Sequence, residues 1–276
     1  MAFSLGDSLA RRRFAQLIAR PIVPLAEAAL AIAQEEYPDL AVDPYMRQLD
    51  RLARAVDQRL PAHRDAASTL RFMRAVLFEE AGFRGNAEAY YDPRNSFLNE
   101  VLDRRLGIPI SLGVVYMEVA ARVGLPLQGV GFPGHFLVMH GGEIFIDPFH
   151  GGEILSAADC VRRFNAMAPG RALELSQLGP ITTRQILRRI LHNLEKIYVE
   201  AGDDVRALWV VDRLVLLAPD DAWGRRDRGL VEARLGGTAA AIADLGAYLM
   251  AAPHAPDSDE VRQLVDQLRL RGSMLN

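Results

Sequence analysis

Three short stretches of the sequence carry side chains that could act together in nucleophilic chemistry. Ser111 lies in GIPISLG, His135 in PGHFLV and Asp147 in FIDPFHGG. Pro109 predicts a helix start, where unpaired backbone amides would stabilise negative charge developing at Ser111. A histidine on the following strand would take the nucleophile's proton, and an aspartate on the next strand would orient the imidazole. This order of residue types favours an acyl-transfer site.

Each of these residues also has a structural interpretation. Serine is a frequent helix cap, so Ser111 could serve only the helix after Pro109. His135 in an apolar strand could be a hydrogen-bonded structural histidine, and Asp147 before Pro148 could simply end a strand. Taken singly, each residue favours the structural interpretation. The three in this order favour a triad-like cluster.

Other polar residues near these stretches give weaker signals. His140 and His150 flank the last extended segments, but no carboxylate or cysteine spacing supports a metal site, so we predict loop histidines and no metal. Asn95 and Asn99 either donate hydrogen bonds to the site or cap a turn and a helix. Cys160, in AADCVRRF, is interpreted as a buried structural cysteine rather than a displaced nucleophile. No phosphate-binding glycine loop is present, and we predict no cofactor.

Helical spacing of apolar residues dominates the first part of the chain. The predicted helices cover residues 22–35, 44–60, 65–80, 95–105 and 110–123. Pro61 ends the second helix, and Gly124 supplies a left-handed cap for the last. Three extended segments follow, LQGVGF, HFLVMH and EIFID. Helices followed by antiparallel strands predict an α+β fold.

The last two extended segments predict a hairpin around Gly141 and Gly142. For His135 and Asp147 to share a face, we expect them directly opposite each other, which closes a three-residue turn at 140–142. A slip of one residue would place the two side chains on opposite faces of the sheet.

Beyond a predicted linker at 171–183, the sequence is self-similar with a period of 34 residues. The matching residues are Gly202 and Gly236, Ala207 and Ala241, Ala218 and Ala252, and Pro219 and Pro253. Small residues let paired helices approach closely, and proline ends the second helix of each pair. We predict helix pairs at 184–218 and 222–252, with closest contacts at Ala207 and Ala241. The charged run GRRDR at 224–228 is predicted to be a solvated face.

These motifs carry a family resemblance. The run VLDRRLGIPISLGVVYMEVAARVGLPLQGVGFPGHFLVMH, followed by FIDPFHGG, resembles the transglutaminase-like core of the bacterial SirB-type family, and the repeats resemble tetratricopeptide repeats. The resemblance covers most of residues 40–255. It implies an α+β fold: a papain-like transglutaminase core with a helical N-terminal part, followed by all-α tetratricopeptide-like helix pairs. The implied organisation is an N-terminal extension at 1–20, a transglutaminase-like domain at 21–175 and a repeat domain at 184–272.

The resemblance also assigns the site, with Ser111 at the cysteine position, His135 at the histidine and Asp147 at the aspartate. A thiol has a pKa of about 8.5 that a helix end lowers further, whereas a hydroxyl must lose its proton during attack. We therefore predict a degenerate site, leaning to no enzyme activity, in a protein that binds a protein or peptide through its repeats. The alternative is a serine-based acyl hydrolase or acyltransferase that uses Ser111, His135 and Asp147 on an amide or ester.

Composition and charge narrow the class of partner. The net charge of -3 argues against nucleic acid as the main partner. The single cysteine excludes an intrachain disulfide and a cysteine-rich zinc site, and it fits a reducing compartment. The apolar stretch 14–19 is too short for a secretory signal or a membrane span. We predict a cytoplasmic protein without a membrane partner, in which residues 1–20 are a soluble extension; an amphipathic surface helix is the alternative for that segment.

Overall fold

The computed structural model describes residues 8–132, 134–167 and 175–274. Their contacts divide the chain into two compact units. Gln16–Ile190 form the first, here called the core unit, and the described residues of Met1–Ala15 and Leu191–Asn276 form the second, the repeat unit. The domain limits 1–20, 21–175 and 184–272 stay a prediction beside this division.

All five helices predicted in the first two-thirds of the chain are present. Two more form: Leu9–Ile18, inside the segment 1–20 predicted as a soluble extension with a helix as the alternative, and Ala157–Met167. Their bounds are α1 Leu9–Ile18, α2 Leu25–Ala33, α3 Val42–Asp57, α4 Ala66–Arg74, α5 Leu98–Arg104, α6 Pro109–Arg122 and α7 Ala157–Met167. A π-helical stretch, Ala75–Glu80, continues α4. Helix α6 packs against α2, α3, α4 and α5. Ten of its 14 residues are buried, as expected of a helix that is apolar on most sides.

The strands of the core unit form a five-stranded antiparallel sheet and a separate two-stranded parallel pair. Their bounds are β1 Arg84–Gly85, β2 Leu106–Gly107, β3 Gln128–Val130, β4 Leu137–His140, β5 Ile144–Asp147, β6 Glu153–Leu155 and β7 Pro180–Ile181. The larger sheet has the order β6-β5-β4-β3-β7. One face packs under α7, where Phe145, Leu155, Cys160 and Phe164 belong to one apolar cluster.

Strand β7 corrects the predicted linker at 171–183. Residues 171–174 lie outside the described residues, but Pro180 pairs with Val130 and Ile181 with Gly129. The end of the predicted linker is therefore an edge strand. Proline is tolerated at the start of an edge strand, where one side of the backbone has no neighbouring strand to pair with.

The β4–β5 hairpin has a register that differs from the predicted one. Met139 lies opposite Phe145 and His140 opposite Ile144, so the turn comprises 141–143 and not 140–142. Gly141 and Gly142 both take positive φ, 61° and 82°, which starts the turn at the glycines. The predicted pairing was wrong by two residues. Because side chains alternate with a period of two, this slip preserves the face of each residue.

The described part of the repeat unit that follows the core unit in the chain consists of helices joined by short loops. The bounds of its helices are α8 Thr183–Glu200, which begins in the core unit, α9 Asp204–Leu217, α10 Ala222–Arg234, α11 Thr238–Ala251 and α12 Ser258–Met274. Helices α9 to α12 pack in sequence, each against the next. Gly202 and Gly236 precede α9 and α11 with φ of 68° and 80°. The α+β core followed by tetratricopeptide-like helices confirms the predicted fold class.

The small residues of the repeats lie at helix contacts. Ala207 and Ala241 are fully buried. Gly229 of α10 also lies at a helix contact, although it is not one of the residues that repeat with the period of 34. A Cβ atom at this position would come within 2.8 Å of the Leu245 side chain on α11. Glycine at this position therefore permits a close approach of the two helices.

The sequence predicted that the charged run 224–228 forms a solvated face. The structure contradicts that prediction. Arg228 binds both carboxylate oxygens of Asp244, one of them through Nη2 at 2.9 Å. Its Nη1 lies 3.1 Å from Asp212, which is buried. Arg226 binds Asp257 of the segment before α12 at 2.8 Å. The run thus supplies two guanidinium groups to contacts within the repeat unit.

No helix in the described ranges combines the length and apolarity that crossing a membrane requires.

Candidate functional site

Ser111 lies in the first turn of α6, and its hydroxyl is used inside the protein. The side chain is 2% exposed. Its Oγ donates a hydrogen bond to the backbone oxygen of Asn95 at 2.6 Å and accepts one from the backbone N–H of Ile108 at 3.1 Å. The second bond satisfies one of the amides that a helix start leaves unpaired. The structural interpretation of Ser111 therefore describes its observed contacts.

Asn95 positions the segment that holds Ser111. It is fully buried, its amide nitrogen donates to the backbone oxygen of Ala89 at 2.7 Å, and its Oδ1 accepts from Asn86 at 3.0 Å. The side chain of Asn95 thus fixes the loop before α5. The backbone oxygen of the same residue accepts the hydrogen bond from the hydroxyl of Ser111. Asn99 is also buried, and the structure gives its Oδ1 no hydrogen-bond partner among the described residues.

The side chains of His135 and Asp147 meet, but not as the directly opposed strand residues that the sequence predicted, because His135 lies before β4. Nε2 of His135 lies 3.0 Å from Oδ1 and 2.9 Å from Oδ2 of Asp147. Because an ionised carboxylate only accepts, Nε2 carries the proton in this arrangement. The ring of Phe149 lies edge-on to the imidazole at 5.9 Å between centroids. The side chain of Arg189 donates to the backbone oxygen of His135 at 2.7 Å, which holds the loop before β4.

The second histidine at this site, His150, was predicted to be a surface or loop residue. Its side chain is 54% exposed, in agreement with that prediction, but its Nδ1 also lies 2.8 Å from Oδ2 of Asp147. Arg163 of α7 lies on the same oxygen, with Nη1 at 3.2 Å, and its Nη2 lies 2.5 Å from Glu153. The backbone amides of Phe149 and His150 donate to Oδ1 of Asp147 at 3.1 and 3.3 Å.

These contacts keep the buried Asp147 ionised. The residue is 1% exposed, and burial by itself would raise the pKa of its carboxyl. Hydrogen bonds and positive charge from His135 and His150 outweigh that cost and hold the pKa of Asp147 below its usual value. The carboxylate therefore stays available to orient both imidazoles.

The two histidines border a cavity of about 280 Å³ in the core unit. Its walls combine these polar groups with apolar side chains, among them Phe132, Leu137 and Leu155. Cys160 also lines it, fully buried, and burial raises the pKa of this thiol to about 11. The lining residues do not include Ser111. The structure thus brings two of the three predicted residues together at a cavity and gives the third other hydrogen-bond partners.

Sequence reasoning missed His150 and Arg163 as partners of Asp147. For His150 a signal was present, because a three-residue helical turn after an aspartate brings the side chain at i+3 back to it. Arg163 lies 16 positions away on α7, and no local pattern links it to Asp147.

A second concave surface lies in the repeat unit between α8 and α10. It encloses about 300 Å³ and is lined by His192, Glu195, Lys196, Val199, Asp227, Leu230, Val231 and Arg234. Acidic and basic side chains alternate with apolar ones there, so the surface suits a ligand that offers both kinds of contact.

The fold and site together define a transglutaminase-like domain followed by tetratricopeptide repeats. The family model described as "Transglutaminase-like superfamily" matches residues 43–192, and the tetratricopeptide repeat model matches residues 194–266. A UPF0162 protein of Xylella fastidiosa is 41% identical over 256 residues, covering 88% of this chain and 90% of that protein. The chain belongs to the UPF0162 family, the SirB-type family that its motifs resemble.

Two further relatives show the spread of similar sequences. A UPF0162 protein of Vibrio cholerae is 30% identical over 253 residues, covering 88% of this chain and 92% of that protein. F-box only protein 21 of Mus musculus is 33% identical over 140 residues, covering 47% of this chain but 22% of that protein. No solved structure matches the chain.

Proposed function

We propose that the protein is a binding protein whose core unit performs no acyl transfer at Ser111 and whose repeat unit binds a protein or peptide. The observation that carries the first part is the hydroxyl of Ser111, which donates to Asn95 and accepts from Ile108. A nucleophilic serine directs its proton to a base and its lone pair to the substrate. Here the proton is donated to Asn95 and one lone pair accepts from Ile108, and the residue is 2% exposed.

The competing function is a serine-based acyl hydrolase or acyltransferase that uses Ser111, His135 and Asp147. It is supported by the hydrogen-bonded pair of His135 and Asp147, two of the three residues of such a site. A fluorophosphonate probe applied to the full chain separates the two functions. We expect no label at Ser111 above the level found in Ser111→Ala; label that disappears in both Ser111→Ala and His135→Ala would support the hydrolase.

A thiol at position 111 gives a second test of the same site. In a Cys160→Ala background, Ser111→Cys places the only thiol of the chain at the start of α6. We expect iodoacetamide to leave this thiol unmodified in the folded protein at mildly acidic pH and to modify it fully in denaturant. Fast alkylation that slows in His135→Ala would instead indicate a lowered thiol pKa and an accessible nucleophile position.

For the repeat unit, the surface between α8 and α10 is the proposed peptide site. Tetratricopeptide repeats in general mediate protein interactions, and repeat arrays bind on extended concave surfaces. Val199 lines this surface and is 46% exposed. A displayed peptide library selected on the full chain should yield peptides that Val199→Asp no longer binds.

Val205 provides the matched control for that experiment. It is 51% exposed on α9 and does not line the surface. Val205→Asp adds the same charge at a similarly exposed valine, so it should leave peptide binding unchanged. Selection of no peptide, or equal binding by both variants, would contradict the proposed site.

A further inference from the structure

Three side chains of the core unit converge with the atoms that metal ions bind. Nitrogen atoms of His135 and His150 and an oxygen of Asp147 lie within 4.8 Å of one another. Two imidazoles and one carboxylate form a donor set that suits divalent zinc, iron, cobalt or nickel. We propose that His135, Asp147 and His150 bind one divalent transition-metal ion, with zinc as the ion to test first.

The carboxylate is held in a way that suits a ligand. Backbone amides of Phe149 and His150 donate to Oδ1 of Asp147. These bonds fix the plane of the carboxylate and leave Oδ2 directed at the side-chain partners. Hydrogen bonds that orient a ligand in this way raise the affinity of metal sites.

The two imidazoles can change from donors to ligands without leaving their places. In the metal-free arrangement, Nε2 of His135 and Nδ1 of His150 donate to Asp147. A neutral imidazole carries its proton on either nitrogen, so moving it to the other nitrogen frees a lone pair at the atom that faces the carboxylate. The proton stays on the ring, and the freed lone pair binds the ion.

The site has an entry path and room for further ligands. The side chain of His150 is 54% exposed, and all three ligands border the cavity of about 280 Å³. Water, or a small molecule with a carboxylate or amide oxygen, can complete the coordination from the cavity side.

The position of Arg163 predicts whether its removal strengthens or weakens metal binding. Its Nη1 lies 3.2 Å from Oδ2 of Asp147, where its positive charge opposes a bound cation, and its Nη2 pairs with Glu153 at 2.5 Å. The guanidinium can release Asp147 and keep Glu153 when an ion binds. Removing this charge should therefore strengthen metal binding, whereas a purely structural His–Asp–His cluster would gain no affinity.

The test is calorimetric titration of the EDTA-stripped full chain with Zn²⁺ near neutral pH, repeated with Co²⁺ under visible absorption. We expect one ion per chain and weaker binding by at least roughly tenfold in His150→Ala. His140→Ala is the matched control, because His140 binds the backbone oxygen of Pro126 and belongs to no such cluster among the described residues. It should leave the affinity unchanged.

The variant Arg163→Gln should strengthen Zn²⁺ binding by roughly fivefold. Circular dichroism checks that each variant is folded, and His150→Gln replaces His150→Ala if the latter is not. Absence of Zn²⁺ binding by the wild type at micromolar concentrations would overturn the proposal. Equal affinities of His150→Ala and wild type, or binding that Arg163→Gln leaves unchanged or weakens, would overturn it as well.

Discussion

Asp147 in the core unit and Asp212 in the repeat unit are both buried carboxylates, but different types of side chain bind them. Asp147 of the core unit, 1% exposed, lies between two imidazoles with one guanidinium beside it. Asp212 of the repeat unit, 3% exposed, is bound by guanidinium groups from the described part of the chain. These belong to Arg11, Arg213 and Arg228.

The difference lies in what the partners can do next. A guanidinium keeps its proton at any ordinary pH and has no lone pair to offer, so the cluster around Asp212 can only neutralise charge. An imidazole can lose its proton or move it between nitrogens, so the cluster around Asp147 can exchange a hydrogen bond for a ligand. Asp147 also borders a cavity. Burial of charge alone therefore does not identify a functional site; the type of partner and access to it do.

The largest expected effect is at Asp147. Replacement by Asn leaves one oxygen and turns an NH₂ group toward the N–H donors of His135, His150 or Arg163. Such a buried mismatch should lower the free energy of unfolding by about 4 kcal/mol. Urea unfolding followed by far-UV circular dichroism measures this loss. Tryptophan fluorescence would not follow the core unit, because both tryptophans, Trp209 and Trp223, lie in the repeat unit.

Glu153→Gln is the control for Asp147→Asn. Glu153 pairs with the same Arg163 but is 49% exposed, so its loss should cost less than about 1 kcal/mol. The pH dependence gives a second check. Because the pKa of Asp147 is lowered from 3.8, its stabilisation is present above that pH and is lost as the pH falls below it. Asp147→Asn should remove this part of the acid sensitivity; equal stability of both variants would contradict the comparison.

In the repeat unit, the pair of Arg228 and Asp244 should show strong coupling. Arg228→Met alone leaves Asp244, which is 6% exposed, without its bidentate partner and should cost roughly 3 kcal/mol. In the double variant Arg228→Met, Asp244→Leu no charge of the pair is left buried, and we expect most of the loss to be recovered. Urea unfolding followed by tryptophan fluorescence measures the cycle, and additive losses would show that Arg228 and Asp244 do not stabilise each other.

A third prediction concerns the close contact of α10 and α11. The Cβ atom of Gly229→Ala would lie 2.8 Å from the side chain and 3.2 Å from the backbone nitrogen of Leu245. Overpacking should cost roughly 1–3 kcal/mol, the same range that we expect for Ala207→Leu. Gly224→Ala on the same helix is the control, since its Cβ would make ordinary contacts of 3.7–4.0 Å. It should stabilise by about 0.5–1 kcal/mol through helix propensity, and a stable Gly229→Ala would contradict the predicted packing.

The smallest expected effect is the pH response of Glu232 on α10. Burial, reinforced by the charge of Asp244, raises the pKa of Glu232 from 4.5 to about 7. The folded state therefore binds more protons than the unfolded state between these values, and stability falls as the pH rises through this window. The loss from pH 4.5 to 7.5 should be on the order of 1–2 kcal/mol.

Glu232→Gln should flatten that part of the stability profile, measured by tryptophan fluorescence at several pH values. Glu260→Gln is the control, because Glu260 is exposed on α12. It should leave the slope unchanged. A pH slope of stability that survives in Glu232→Gln would show that another group titrates in this window and would contradict the prediction.

Local pattern was enough to predict most of the helices and the proximity of His135 to Asp147. Periodic apolar residues define α2 to α6, and the glycines at 202 and 236 both take the left-handed conformation that ends a helix. These features are determined within a few residues of the chain. The hairpin was predicted with the correct faces but the wrong register, because either of two turns fits the glycine pair.

Contacts between distant residues were decided only by the tertiary structure. The sequence by itself determined which residues can act as donors, acceptors and bases, and the family to which they belong. It did not determine that Ser111 would bind Asn95, that Arg163 would reach Asp147, or that Pro180 and Ile181 would join the sheet. Each of these contacts joins residues 16 or more positions apart through a loop or a whole element, and no periodicity of side chains specifies where such a connection returns.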